Sequence, residues 1–322
     1  MPVRSGIVAL ILIFIASAVV TVSYMGNPSS RLAHVDDPSM HTAAAVVPVS
    51  TPSPAAFAST TLEAHAGFVL DVTDGHALYS LNPDTQLPLA SITKVPMALV
   101  VSEVLSPDMR IVIPRDTALP GNPERLAKGD TWRVGDVIDL TLAASSNGGA
   151  ETLSLAANES LHARYPASPA DAATLWRMND LARSLRLTKT YFLNVSGLDE
   201  STTQSGAYGS ARDVAILFAY AASTSRETFA ATTQPSFSLM SINGAKARAV
   251  NTDKALDAIP HLIMGKTGYT DLAGGNLAIV FEPVPGHSGV AVVLGSTEQG
   301  RFEDMKKLIA ATEETIGADK PL

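Results

Sequence analysis

Gly67-Phe-Val-Leu-Asp-Val-Thr-Asp-Gly-His-Ala-Leu-Tyr-Ser-Leu81 decides how this chain is laid out. Two apolar runs, 67–72 and 77–81, flank Thr73-Asp-Gly-His76, whose Asp-Gly pair is a strong hairpin signal. The folded part therefore opens with two antiparallel strands. Strand-like stretches return near the other end, at Leu262-Ile-Met264, 276–281 and 290–294, before a helix over 302–316. Between the two sets the pattern predicts helices over 135–144, 149–158, 169–185 and 211–222, separated by turns rich in Gly, Pro and Ser. A further helix is predicted from Ser91 through Met97 to about 104, with Pro96 tolerated in its first turn. Strands at both ends with helices between them imply an α/β (α+β) fold. In it one antiparallel sheet, built from both chain ends, packs on helices, with an all-helical lobe between.

Outward from this core, the first residues read differently. Residues 5–30 carry no charge and 6–24 are almost wholly apolar, about the length needed to cross a bilayer. Arg4 and the amino terminus lie on one side, so the positive-inside rule places the rest outside the cytoplasm. Ala16-Ser-Ala18 also offers a signal-peptidase site, and a cleaved signal is the alternative. Val19-Val-Thr-Val22 prolongs the apolar stretch beyond that site and favours an uncleaved anchor. The expected organisation is an anchor or signal segment over 1–26, a disordered linker rich in Pro, Ser and Ala over 27–61, one catalytic domain over 62–317 and a tail over 318–322. The net charge of −8 argues against nucleic acid as a partner. There are no cysteines, and the seven histidines are dispersed with no His-Glu-x-x-His, so no metal centre is expected.

Three short strings bear the chemistry: Ser91-Ile-Thr-Lys94, Ser145-Ser-Asn147 and Lys266-Thr-Gly268. Ser-x-x-Lys and Lys-Thr-Gly each occur once, whereas Ser-x-Asn also matches Ser80-Leu-Asn82 and Ser241-Ile-Asn243. Only Ser145 falls in order between the other two strings. A serine hydroxyl needs a neighbouring base. Residues i and i+3 of a helix share a face, so Lys94 can reach Ser91. A lysine serves as a base only when neutral, which burial or a second cation such as Lys266 favours. Helix amino-terminal N–H groups near Ser91 suit a developing oxyanion. Ser145 can relay a proton, Asn147 can hold a substrate amide, and Gly268 permits close approach of a ligand backbone at the end of a strand.

This ordered triple resembles the penicillin-recognising serine enzymes. Pro88-Leu-Ala-Ser-Ile-Thr-Lys94, Phe192-Leu-Asn-Val-Ser-Gly-Leu198, Gly209-Ser-Ala-Arg-Asp-Val214 and Gly265-Lys-Thr-Gly-Tyr-Thr270 look most like segments of the D-alanyl-D-alanine carboxypeptidases among the low-molecular-mass penicillin-binding proteins. The resemblance implies a serine peptidase that needs no cofactor, with peptidoglycan stem peptides ending in D-Ala-D-Ala as substrate and β-lactams as covalent inhibitors. It assigns Ser91 as nucleophile, Lys94 as base, and Ser145 with Lys266 as the proton-transfer pair. Asn147, Thr267 and Gly268 would orient the peptide. The backbone N–H groups of Ser91 and Tyr269 would hold the oxyanion, and Arg301 the terminal carboxylate. Arg301 has separate support, because removal of a single terminal residue calls for a cation at the free carboxylate. Asn147-Gly-Gly149 departs from the Asn-Asp-Ala common in the family. A non-hydrolytic penicillin-binding sensor, an endopeptidase or a β-lactamase of the same fold are the rival readings. The absence of Glu from 160–199 counts against a lactamase that deacylates through a downstream glutamate.

Overall fold

The computed structural model describes residues 49–50, 54–114 and 126–318, all within one unit, Ala43–Leu322. In chain order its elements are β1 (Val49–Ser50), β2 (Ala66–Asp71), β3 (His76–Leu81), β4 (Leu87–Pro88), α1 (Lys94–Ser102), β5 (Arg110–Val112), β6 (Thr131–Arg133), α2 (Val134–Ala143), α3 (Asn147–Arg164) and α4 (Ala173–Ser184). There follow β7 (Tyr191–Phe192), β8 (Ala207–Gly209), α5 (Ala211–Thr224), β9 (Ser236–Met240), β10 (Lys246–Val250), β11 (Leu262–Thr270), β12 (Gly274–Val284), β13 (His287–Ser296) and α6 (Gly300–Ala318).

Both chain ends do meet in one sheet, in the order β1-β3-β2-β13-β12-β11. Every pair is antiparallel except the two-residue β1–β3 contact. The sheet is covered on both faces, so β2 is buried at all six positions. Side chains alternate across it. Val69, Ile279, Phe281 and Val293 pack under Phe302, Met305 and Leu308 of α6. Phe68, Leu70, Val290 and Val292 pack toward the apolar residues of α1 and α5, such as Val101 and Phe218. At the end remote from the β11–β12 turn, Asp71 Oδ1 accepts from the N–H groups of Thr73 and Asp74. Its Oδ2 lies 2.7 Å from His287 Nε2, joining the β2–β3 and β12–β13 hairpins.

Several boundaries differ from the sequence reading. The expected helix from Ser91 is a 3-10 turn, Ala90–Thr93, followed by α1. Ser91 therefore precedes the α-helix. The lobe between the sheet halves is not all-helical: β5–β6, β4–β8–β7 and β9–β10 add three small sheets. The helix expected over 149–158 begins at Asn147 and runs to Arg164, because Ser146 Oγ caps the Gly149 N–H at 3.0 Å. Lys266-Thr-Gly268 lies inside β11, which continues to Thr270.

The linker expected over 27–61 falls mostly outside the described residues, and its last part is ordered. Phe57, in a 3-10 turn over Ala55–Phe57, is buried with its ring 5.4 Å from that of Tyr79. Lys307 Nζ donates to Thr61 O at 2.8 Å. A large ring and one lysine hydrogen bond thus tie a Pro- and Ala-rich approach segment to the domain. The anchor or signal segment of 1–26 and residues 319–322 of the tail also lie outside the described residues. Among the described residues no helix is long and apolar enough to cross a membrane.

Candidate active site

The nucleophile turn is fixed before its serine is reached. Asn276 Nδ2 donates to Pro88 O at 3.0 Å and Leu89 N–H donates to Ala207 O at 3.0 Å. Ala90 then adopts the left-handed conformation, φ +48°, at a cost of about 1–3 kcal/mol for a residue with a side chain. Its carbonyl accepts Thr93 Oγ1 at 2.7 Å. Gly197, at φ +81°, fits against that same carbonyl, where a Cβ would overlap the oxygen. The turn holds Ser91 half-buried at the head of α1.

Lys94 is wholly buried, and its Nζ has three neighbours: Ser91 Oγ at 2.7 Å, Asn147 Oδ1 at 2.6 Å and Ser196 O at 2.7 Å. A neutral amine has two N–H donors and one lone pair. Asn147 Oδ1 and Ser196 O can only accept, so they take the two N–H groups. The lone pair is left for the Ser91 hydroxyl. Burial holds the Lys94 ammonium well below its ordinary pKa, and the Lys266 charge acts in the same direction, with Glu151 opposing. The geometry and the charge state agree on a lysine able to take the proton of Ser91.

Ser145 sits in the turn between α2 and α3 at φ +58°, a second strained position within the site. Its Oγ accepts from Lys266 Nζ at 3.0 Å, and Thr267 O accepts from the same Nζ at 2.9 Å. Lys266 is 1% exposed. Burial first, and the Arg301 charge second, bring its pKa from 10.5 down to about 7, against the pull of Asp253. Lys266 can therefore hold or release a proton near neutrality, next to a hydroxyl able to pass it on.

β11 is the edge of the sheet. Gly265 N–H points off that edge to Thr232 Oγ1 at 3.1 Å. Because N–H groups alternate sides along a strand, those of Thr267 and Tyr269 lie on the same outer edge. The edge abuts the nucleophile turn at Gly268, where a Cβ would fall 2.7 Å from Leu89 O and 3.2 Å from Ser91 N. Only glycine allows this approach. Thr267 Oγ1 pairs with Thr252 Oγ1, and Tyr269 stands half exposed at the open end. Arg301, near the start of α6, is 5% exposed and donates from Nη1 to Gly268 O at 2.7 Å, leaving its Nε without a partner among the described residues.

All nine residues singled out from the sequence converge here. Ser91, Lys94, Ser145 and Lys266 form two serine–lysine pairs, Asn147 bridges to Lys94, and Thr267, Gly268, Tyr269 and Arg301 line the strand edge. Sequence reasoning missed Ser196, which serves through its carbonyl, an atom every residue has. It also missed Asn276, whose side chain links Pro88 to Gly295 N–H at 2.8 Å. Asp199, which accepts from Thr270 Oγ1 at 3.0 Å and ties the 193–206 loop to the end of β11, was not picked out either.

Comparison with known proteins places the chain in a family. The Escherichia coli (strain K12) D-alanyl-D-alanine carboxypeptidase DacC is 29% identical over 263 residues, covering 77% of this chain and 60% of the relative. The chain thus spans less than two thirds of that relative's length. The Mycobacterium tuberculosis H37Rv D-alanyl-D-alanine carboxypeptidase DacB2 is 31% identical over 212 residues, 65% of this chain and 67% of the relative. Penicillin-binding protein D2 of Listeria monocytogenes, solved in its ampicillin-bound form, superposes with a TM-score of 0.64 at 30% identity, covering 79% of this chain and 98% of that one. Residues 50–297 match the peptidase S11 family, described as D-alanyl-D-alanine carboxypeptidase, and the chain belongs to that family.

Proposed function

We propose that this chain is a serine-type D-alanyl-D-alanine carboxypeptidase that removes the terminal D-Ala from peptidoglycan pentapeptide stems through an acyl-Ser91 ester. The observation that carries the reading is the buried Lys94 amine, whose Nζ lies 2.7 Å from Ser91 Oγ and within 2.6 and 2.7 Å of two oxygens that can only accept. Lys94 takes the hydroxyl proton as Ser91 Oγ bonds to the penultimate D-Ala carbonyl carbon. The developing oxyanion meets the N–H groups of Ser91 and Tyr269. As the C–N bond breaks, Ser145 gives its proton to the departing amine and is replenished from Lys266. Lys94 then returns its proton to the neutral Lys266, water attacks the ester carbonyl and gives a proton to the neutral Lys94, and Lys94 passes that proton to Ser91 Oγ as the ester C–O bond breaks.

The substrate backbone pairs with the outer edge of β11, with the Asn147 side-chain amide on its other side. Arg301 receives the terminal carboxylate through its unpartnered Nε and the rest of its guanidinium. A β-lactam enters by the same route and remains as a covalent adduct. The apolar stretch at 6–24 tethers the catalytic domain to the outer face of the cytoplasmic membrane, or directs its export if cleaved.

The test uses the full chain in mild detergent. D-alanine release from diacetyl-Lys-D-Ala-D-Ala is followed alongside intact mass after exposure to penicillin, for the native chain and Ser91→Ala. Release together with an adduct, both abolished in Ser91→Ala, supports the carboxypeptidase. An adduct without release indicates a sensor or an endopeptidase that needs a cross-linked substrate, and labelling that survives Ser91→Ala overturns the nucleophile. Resistance of the full chain to alkaline extraction from membranes checks the tether.

A further inference from the structure

One acidic side chain beside the base has no part in the chemistry just described. Glu151 lies one turn beyond Asn147 on α3, and residues four apart share a helix face. Since Asn147 Oδ1 accepts from Lys94 Nζ at 2.6 Å, that face is turned toward the base. Glu151 is half-buried and makes no hydrogen bond or ion pair among the described residues. A carboxylate withdrawn from water with no local partner is a poor choice for helix packing alone. Its charge does act on Lys94.

The groups around it are few. From α1 comes Lys94, and from the 193–206 loop comes Glu200, held at 2.7 Å by Asn194 Nδ2. That loop also supplies the Ser196 carbonyl to Lys94. From β11, Lys266 bears on Lys94 as a like charge. The acids of α2, Asp136 and Asp139, act on one another, and Arg177 of α4 is engaged with Glu103 and Asp180. Burial raises the Glu151 carboxyl above its ordinary range, Lys94 opposes that shift and Glu200 adds to it.

We propose that Glu151 is a positioning residue for the base: its carboxylate steadies the Lys94 ammonium formed when Ser91 gives up its proton, against the like charge of Lys266. The inference rests on the assignment of Ser91 as nucleophile and Lys94 as base. Without Glu151, Lys94 is a weaker base that is already neutral at lower pH. Two effects follow: the acid limb of the acylation profile moves to lower pH, and the plateau rate falls because a less basic amine is a less effective proton acceptor.

Acylation of the full chain by a fluorescent penicillin, measured from pH 4 to 9, tests this. Glu151→Gln should move the acid limb down by roughly half to one pH unit and lower the plateau about two- to fivefold. Glu151→Asp should restore most of the limb. Glu200→Gln, which removes the like charge and leaves Glu151 more fully ionised, should move the limb upward. An unmoved limb in Glu151→Gln, or a uniform loss at every pH, overturns the proposal while leaving the carboxypeptidase reading intact. Persistence of labelling in Ser91→Ala would instead overturn the assignment on which both stand.

Discussion

Replacing Lys266 by Met should stabilise the protein while abolishing its reactivity, and the gain should depend on pH. The folded chain releases the Lys266 proton at about 7, whereas the unfolded chain keeps it until 10.5. Folding therefore works against a bound proton at low pH, and that opposition fades as the pH rises from 7 toward 10.5. At about 1.4 kcal/mol per pH unit, the penalty is roughly 5 kcal/mol at pH 6, about 3 at pH 8 and about 1 at pH 10. Methionine fills a similar volume without the charge. It forfeits the bonds to Ser145 Oγ and Thr267 O, worth about 1 kcal/mol each. The variant should thus exceed the native chain by about 3 kcal/mol at pH 6, with the advantage gone by pH 10. Urea unfolding of both proteins at pH 6, 8 and 10 reads the difference; titrating groups remote from the site cancel between them, while Lys94 and Asp253, which feel the Lys266 charge, do not. Labelling by a fluorescent penicillin should drop more than about 100-fold, as expected for loss of a proton-transfer group. A variant no more stable at pH 6, or an advantage that does not shrink with pH, would refute the reasoning.

Gly268→Ala places a methyl 2.7 Å from Leu89 O and 3.2 Å from Ser91 N, so it should cost about 2–3 kcal/mol in urea unfolding and slow penicillin labelling at least about tenfold. Arg301→Ala should reduce D-alanine release about 100-fold while penicillin acylation falls less than about tenfold, because the role proposed for it is to bind the terminal carboxylate; equal losses in the two assays would remove that role. Phe57→Ala should cost about 3 kcal/mol of stability with labelling intact at low temperature. A negligible cost would return 54–61 to the linker.

The sheet was legible because its strands show the patterns a two-sided core imposes: continuous apolar runs at 67–72 and 290–294, and an Asp-Gly turn. Its edges were not. The β9–β10 hairpin buries only small side chains on β10, Ala247 and Ala249, so its alternation carries little hydrophobic contrast. The Asn243-Gly244 turn that joins the two strands is legible as a turn, but the strands on either side of it are not. The helix expected at Ser91 failed for a different reason: Ala90 takes a backbone conformation that no propensity of alanine announces, held there by Gly197 and Asn276 from distant parts of the chain. Side-chain chemistry could be read from the three strings and the Tyr269 N–H only from the family resemblance, while the contributions of Ser196 O and the Gly265 N–H could not be read, because main-chain atoms leave no trace in residue identity.

The open part of β11 is short. Thr232 occupies Gly265 N–H at one end, and Asp199 ties down Thr270 at the other. About three residues remain available for pairing, a length of roughly 10 Å at the rise of an extended strand. An exposed sheet edge is ordinarily an invitation to other strands, but this one is too brief to hold a neighbouring molecule in register. It acts as a ruler, long enough for the last residues of a peptide and too short for a sheet, so the same bounded edge that can receive a chain end is itself a poor template for aggregation.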